Sequence, residues 1–206
     1  MSLMEQLNQE HHFIRDFVSK VQVAAELYGW GERPPETFFE LAMDFSDTFI
    51  EKYHHIKEEA VLFKLLANKL AGDLDQQVKT LENQHKKVEG FIKEIKRCLP
   101  GYLSGDKNQN TIFWRSLGGY VSFLRAHLNR EEHMFFPLIE RVLTKSEQME
   151  MERIFENEEM KLGKDYLKNC KRVLAELTNV LEEACGDRYK YLMDSVASKR
   201  GDFKAA

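Results

Sequence analysis

Residues that interrupt helices are scarce in this chain. Its 206 residues include four prolines and eleven glycines. Proline removes a helical hydrogen bond, and a glycine in a helix interior costs about 1 kcal/mol relative to alanine, so their scarcity favours long helices. A chain of this length is long enough for one domain with its own core, and we expect one rather than two.

Cysteine and long apolar runs are also scarce. The three cysteines, Cys98, Cys170 and Cys185, are far apart and fit no metal-binding spacing, which is typical of reduced thiols in a reducing compartment. The sequence contains no run of about 18 apolar residues, and it does not open with a positively charged segment followed by an apolar one. We therefore expect a cytoplasmic protein with no membrane partner.

The chain has no concentrated block of positive charge. Its 34 acidic and 30 basic residues are mixed along the whole length and give a net charge of -4. Proteins that bind nucleic acids usually present a cluster of Lys and Arg to the phosphates. The charge pattern therefore predicts no nucleic-acid partner, and it leaves any protein partner open.

Apolar residues recur every three or four positions through most of the chain, which predicts helices. The predicted helices run from about Leu3 to Tyr28, Glu36 to Leu70, Val78 to Leu99, Thr111 to Leu138 and Ser146 to Glu183. We expect a loop over 100–110 and, because Pro137 lies inside the fourth helix, a kink near His133 or an early end of regular helix. Gly163 is a point at which the fifth helix can bend. Beyond Gly186 the pattern allows a short helix or a loose tail.

The most informative stretch is HHIKEEAVLF, residues 54–63. His55 and Glu59 are four residues apart, so on a helix they lie on the same face, about 6 Å apart along the axis. An imidazole nitrogen beside a carboxylate oxygen is half of a site for a metal such as iron or zinc. The pair recurs as His127 and Glu131 in HLNREEHMFF, and in both copies a phenylalanine stands four residues past the carboxylate.

Histidines and glutamates fall on the apolar stripes of the first four predicted helices. The candidate ligands are His11, His55, Glu59, His85, His127 and Glu131. His11 precedes His55 by 44 residues and His85 precedes His127 by 42, so each of two helical hairpins supplies a histidine and then a His-x-x-x-Glu pair. Two such hairpins facing each other predict a two-metal site with bridging carboxylates and positions left for small ligands.

Other histidines and glutamates lie next to these positions in the sequence. Those that fall off the stripes are His12, His54, His133, Glu10, Glu58 and Glu132. We expect these side chains to be solvated or to contact the ligands rather than a metal. Glu89 lies four residues after His85 and is an additional candidate ligand.

Four segments resemble the hemerythrin-like, or HHE cation-binding, family: EHHFI, HHIKEEAVLF, ENQHKKV and HLNREEHMFFP. The resemblance extends to about residue 180, because SEQMEMERIFENEEMKLG is similar to the extra helix of bacterial members. It implies an all-α fold, an up-down four-helix bundle with an additional C-terminal helix and a non-haem di-iron centre. The implied domain covers residues 1–185, fifth helix included, and residues 186–206 would form a C-terminal tail or short helix.

By matching motif positions, the resemblance implies ligand roles for all six candidates on the stripes. The chain differs from the oxygen-carrying members at two positions. Glu89 stands where they have a second histidine on the third helix, and Glu132 stands where they have an aspartate, which leaves Glu131 as the expected bridge. These differences argue against simple oxygen carriage.

The implied cofactor is a pair of iron ions, although zinc, manganese or nickel would accept the same ligands. The leading hypothesis is a cytoplasmic di-iron protein that binds or senses a small diatomic ligand, dioxygen or nitric oxide, or peroxide. One alternative is a di-iron peroxidase, oxidase or nitric oxide reductase, and another is a storage or structural metal protein. Ferritin-like di-iron enzymes use Glu-x-x-His, the reverse order of the motif found in this chain.

Overall fold

The computed structural model describes residues 2–67 and 74–198, and within these ranges the regular structure is helical with no β-strand. The helices are α1, Leu3–Gly29; α2, residues 36–67; α3, Asp75–Ser104; α4, residues 107–142; α5, Lys145–Leu162; α6, Tyr166–Cys185; and α7, Arg188–Ser198. Helices α1 to α4 are the long helices of the bundle. The predicted all-α class is thereby confirmed.

Two of the bundle helices contain wide π-helical turns, in which hydrogen bonds run from residue i to i+5. Helix α2 is α-helical over Glu36–Phe45, π-helical over Ser46–His55 and Glu58–Phe63, and ends in Lys64–Ala67. Its predicted end at Leu70 lies outside the described residues.

The wide turn in α4 stands where Pro137 was expected to interrupt the helix. Helix α4 passes from Lys107–Arg130 through the π-helical turn Glu131–Phe135 into Phe136–Val142. Pro137 has no N–H to offer the carbonyl of His133, one turn back. The helix therefore widens at this point and then resumes.

Helices α3 and α4 form a hairpin with a very short connection, so the predicted loop over 100–110 is wrong. Helix α3 continues through Pro100 to Ser104 and stops at Gly105, whose φ of 86° suits glycine. Asp106 then caps α4 by accepting bonds from two backbone N–H groups. The last turn of α3 is held by Tyr102, which is fully buried and stacks on Phe113 with ring centroids 4.6 Å apart.

The predicted fifth helix is divided in two. Gly163 has a φ of 100°, and α5 ends just before it, at Leu162. Helix α6 packs along α2 and α1, and α7 packs along α1. The segment after Gly186, which the sequence left open, therefore includes a helix whose Leu192 and Val196 are buried.

The apolar core consists of two clusters separated by a polar layer. Members of the large cluster include Ile14, Phe17, Phe39, Phe49, Val88, Phe113, Leu124 and Leu177. Members of the small cluster include Leu3, Leu7, Leu62, Phe63, Leu81, Phe135, Phe136 and Phe155. Each bundle helix passes from one cluster to the other, and on each of them buried histidines lie between the two. The alternation places the histidines of all four helices at one depth.

No helix in the described ranges has both the length and the apolar character needed to cross a bilayer.

Two adjacent glycines on α4 provide a test of how closely α3 and α4 approach. A Cβ atom added at Gly119 would lie 2.6 Å from an edge atom of the Phe91 ring, whereas one added at Gly118 would meet nothing within 4 Å. At Gly119 the gain of about 1 kcal/mol in helix propensity is opposed by about 1 to 3 kcal/mol for displacing the ring, so Gly119→Ala should leave the free energy of unfolding unchanged or lower it by up to about 2 kcal/mol. Urea unfolding of each variant, followed by far-UV circular dichroism, measures the effect.

Gly118→Ala is the matched control. It should raise the free energy of unfolding by up to about 1 kcal/mol, since alanine favours helix over glycine. Equal stabilisation by both substitutions would contradict this helix packing.

Candidate metal centre

The polar layer contains seven buried side chains that are potential metal ligands. They are His11, His54, His55, His85, His127, Glu58 and Glu131. Each is at most 3% exposed. Ionised carboxylates are very rarely buried unless cations or hydrogen bonds compensate the loss of water, so the layer requires positive charge.

The ligand atoms fall into overlapping groups whose members lie within 4.8 Å of one another. The groups are His11, His54, Glu58 and Glu131; Glu58, His85, His127 and Glu131; and His55, His85 and His127. Both glutamates belong to both four-membered groups. A carboxylate has two oxygens, so each glutamate can face two positions at once.

Glu131 lies between histidines from two different helices. Its Oε2 is 3.3 Å from Nε2 of His11 on α1, and its Oε1 is 3.3 Å from Nε2 of His127 on its own helix. The His127 contact spans four residues of α4, as the sequence spacing predicts.

Glu58 occupies the equivalent place on α2. Its Oε1 is 3.7 Å from Nε2 of His54, and its Oε2 is 3.3 Å from Nε2 of His85 on α3. The ring of His55 stacks on that of His85 with centroids 3.8 Å apart. The two carboxylates are thus surrounded by imidazoles from all four bundle helices.

Several polar atoms in this layer have no hydrogen-bond partner among the described residues. They are Nε2 of His11, Nε2 of His54, both ring nitrogens of His55, and both carboxylate oxygens of Glu58 and of Glu131. An unsatisfied buried polar group costs about 1 to 3 kcal/mol. Nitrogen and oxygen atoms turned towards a common centre are the donor set that iron, zinc and related metals accept. The residues therefore fit a metal site.

Hydrogen bonds on the far side of the rings hold four of the imidazoles in place. Nδ1 of His11 lies 3.0 Å from Glu132, Nδ1 of His54 3.0 Å from Glu10, Nδ1 of His85 2.7 Å from Glu59, and Nδ1 of His127 3.0 Å from Gln84. When Nδ1 carries the proton and donates it outwards, Nε2 presents a lone pair to the layer. Partners of this kind fix the tautomer and orientation of metal-binding histidines.

The two glutamates have opposite pKa shifts in the protein chain alone. Burial, together with the nearby charge of Glu58, raises the pKa of Glu131 to about 7. Burial also disfavours ionisation of Glu58, but the neighbouring His54 and His85 outweigh it, and the pKa of Glu58 is lowered. Two carboxylates this close resist simultaneous ionisation unless cations lie between them.

The buried histidines also differ in the direction of their pKa shifts. Burial lowers the pKa of every imidazole in the layer, but the carboxylates of Glu131 and Glu132 beside the ring prevail at His11 and raise its pKa to about 9. Contacts with Glu58 and Glu59 similarly raise the pKa of His85 to about 10. Burial, followed by the charge of His85, lowers the pKa of His55 and that of His127 well below the usual value.

The structure brings most of the predicted ligands together. Those that meet in the layer are His11, His55, His85, His127 and Glu131. Glu59 does not join them, because its side chain is 48% exposed and contacts the far side of His85. Glu89 is also outside, with a half-exposed side chain that pairs with Lys93 at 2.6 Å.

His54 and Glu58, which were predicted to lie off the stripe, are in the layer. The reason is the wide helical turns of α2, which end at His55 and start again at Glu58. In a regular α-helix adjacent residues point about 100° apart, and the widened turns of α2 shift the register locally so that His54 and His55 both reach the layer. Lys52 is one sign of the shift: it stands three residues before His55, which on a regular α-helix would place it on the same inward side, but it is exposed in the structure.

Of the other flanking residues, Glu10 and Glu132 contact the imidazoles from behind, as allowed for by the sequence analysis. His12 and His133 are exposed.

Four long helices around a buried layer of histidines and glutamates define a helical-bundle protein of the metal-binding class. The family model described as the hemerythrin HHE cation binding domain matches residues 2–139. The chain belongs to this family.

The curated relatives that match are uncharacterised proteins, two from strains of Mycobacterium tuberculosis and one from Mycobacterium bovis. Each is 26% identical over 111 residues, which cover 54% of this chain and 43% of the relative. The matched segment thus spans less than half the length of these relatives. No solved structure matches the chain.

The register of α2 can be tested with two neighbouring glutamates. Glu58→Gln should remove most of the bound metal, because Glu58 belongs to both four-membered ligand groups. Glu59→Gln should retain it with an affinity lowered about 10- to 100-fold, the usual effect of removing a hydrogen bond to a metal-binding histidine. Metal analysis after dialysis against a chelator compares the two. Greater loss of metal in Glu59→Gln than in Glu58→Gln would show that the helix register predicted from the sequence was right.

Metal binding should release protons. With pKa values raised to about 9 and about 10, His11 and His85 are protonated at pH 7, and a metal binds only neutral imidazole. Glu131, whose pKa is raised to about 7, is about half protonated at this pH and also binds metal as the carboxylate. We therefore expect about two to three protons released per chain on loading with Zn²⁺ at pH 7. The apparent affinity should increase as the pH rises towards 9.

Zn²⁺ titration in weak buffer with a pH indicator measures the release. The variant His12→Ala, which changes only an exposed histidine, should release the same number. Metal binding without proton release would contradict the pKa assignments of His11 and His85.

Proposed function

We propose that this protein holds two iron ions in the polar layer and binds or senses a small oxidant or gas there: dioxygen, nitric oxide or peroxide. The observation that supports this most is that Glu58 and Glu131 belong to both four-membered ligand groups. Carboxylates shared in this way are typical of dinuclear sites, where they link two cations. Membership of a cation-binding family supports the same conclusion.

The two proposed positions differ in their protein ligands. Among the described residues, three histidines, His55, His85 and His127, lie on one side, and two, His11 and His54, lie on the other. With Glu58 and Glu131 shared, the side with two histidines has fewer protein donors. We expect this side to keep a position for an external ligand, and iron at it would supply the redox chemistry.

The surroundings of the layer favour a small ligand. Phe136 lies against His11 with ring centroids 5.1 Å apart, and Phe63 lies 5.6 Å from His85. The small apolar cluster, to which both phenylalanines belong, closes one side of the layer and the large cluster closes the other. Apolar walls limit access of water and bulky molecules and influence the reactivity of a metal site.

A cytoplasmic location is part of the proposal. Cys98, Cys170 and Cys185 are all free thiols and all buried, which suits a reducing compartment.

The test is to purify the protein without oxygen, load it with Fe²⁺ and expose it separately to dioxygen, nitric oxide and peroxide. We expect two iron ions per chain and a new charge-transfer absorption with at least one of the three. His54→Ala should lose iron and response, because His54 is one of only two histidines on its side of the layer, whereas the exposed His12→Ala should keep both.

The outcomes separate the hypotheses. Bound iron that responds to none of the three ligands would contradict the proposal and favour a storage or structural metal protein. Sustained consumption of peroxide or nitric oxide would place the protein among the di-iron enzymes.

A further inference from the structure

A line of charged side chains leads from one candidate ligand to a helix outside the family match: Glu10 and Lys57 are buried, and Glu159 at its end is 29% exposed. Nδ1 of His54 donates to Oε2 of Glu10 at 3.0 Å. The other oxygen of Glu10 accepts a hydrogen bond from Nζ of Lys57, which also donates to Oε1 of Glu159 at 2.9 Å. Glu159 belongs to α5, and the family match ends at residue 139.

The charges along this line are held in specific geometry. Lys57 is 1% exposed and its Nζ lies 3.7 Å from the centroid of the Tyr53 ring. The same oxygen of Glu159 that accepts from Lys57 also accepts from the Tyr53 hydroxyl at 2.8 Å and from Nε2 of Gln6 at 2.5 Å. Burying a lysine is costly unless anions compensate it, and here two carboxylates do so.

Within residues 2–67 and 74–198, no comparable line of paired charges stands behind the histidines on the opposite side of the layer. Behind His85 stands Glu59, whose side chain is 48% exposed, and behind His127 stands the amide oxygen of Gln84. Behind His55 stands Glu51, whose carboxylate oxygen is 3.4 Å from Nδ1 and makes no hydrogen bond with it. A neutral amide and a half-solvated carboxylate influence an imidazole less than a buried carboxylate does. The line of charges therefore acts on the His11 and His54 side.

Lys57 couples Glu159 to His54 through its charge. While two carboxylates share the ammonium group, Glu10 keeps much of its negative charge for the His54 N–H. If Glu159 is neutralised, Lys57 is compensated by Glu10 alone, and Glu10 becomes a weaker acceptor. A carboxylate behind an imidazole fixes the ring and raises its basicity as a metal ligand, so His54 should then bind metal less well.

We propose that Glu159 is a positioning residue of the metal centre, which acts through Lys57 and Glu10 to set the affinity of the position that His11 and His54 line. The proposal rests on the two-metal layer of the proposed function. It assigns α5 a part in metal binding, although α5 supplies no ligand.

The experiment titrates the metal-free full-length protein with Co²⁺, following visible absorption and competition with a chelator. Wild type should bind two ions. Glu159→Gln should lower the affinity for one Co²⁺ ion about 10- to 100-fold and leave the affinity for the other unchanged. Glu10→Gln should lower the affinity for the same ion at least as strongly. In the Co²⁺-loaded protein, the paramagnetically shifted N–H signal of one imidazole should move in both variants.

The matched control is Glu158→Gln, which removes the same charge from the neighbouring residue of α5. Glu158 is 26% exposed, about as much as Glu159, but it pairs at 2.6 Å with Lys161 of its own helix rather than with Lys57. The Glu158→Gln variant should bind both Co²⁺ ions with the affinities of the wild type.

Three results would overturn the proposal. Unchanged affinity for both ions in Glu159→Gln would show that Glu159 is not coupled to the metal centre. Equal weakening of both ions, with a lower melting temperature of the metal-free protein, would mean that Glu159 only stabilises the fold. If Glu159→Gln does not fold, unchanged Co²⁺ binding in Glu10→Gln would overturn it in the same way. Wild type that binds fewer than two Co²⁺ would instead contradict the proposed function itself.

Discussion

The structure depends on compensating two carboxylates that are fully buried within reach of each other. Glu58 and Glu131 are both 0% exposed and both belong to the same ligand groups. Low-dielectric surroundings make their repulsion strong, so the layer requires positive charge. In the protein chain alone, protonated His11 and His85 supply it. Cations bound between the carboxylates would supply it more directly, because the ring nitrogens would then be free to act as ligands.

The two apolar clusters make such a layer possible. A band of histidines and glutamates across a bundle stabilises the fold little by itself, since each polar group must first lose water. The cost is offset by aromatic and aliphatic side chains above and below the band, which are buried by the same four helices. Close packing on both sides also fixes where each helix crosses the layer. The ligands are therefore held in place by contacts that are not themselves polar.

The sequence predicts the bundle well because helical periodicity is a local property. His11, His85, His127 and Glu131 lie on stripes with regular spacing, and the structure places all four in the layer. The prediction fails on α2, where the spacing is not that of an α-helix. HHIKEE contains two possible His-x-x-x-Glu pairs, and only the wide turns decide that both histidines but only Glu58 face inwards. Hydrogen-bond patterns of this kind depend on tertiary packing, which periodicity does not encode.

The same limit explains why the sequence could not show the part played by α5. Lys57 and Glu159 are 102 residues apart, and each stands among charged neighbours that suggest a solvated helix face. Lys57 is buried because α5 covers it, with Phe155 of that helix in the small apolar cluster. One helix thus contributes both an apolar contact below the layer and a carboxylate at its edge. Since these two contacts lie one helical turn apart, a shift of α5 against the bundle would disturb packing and charge together.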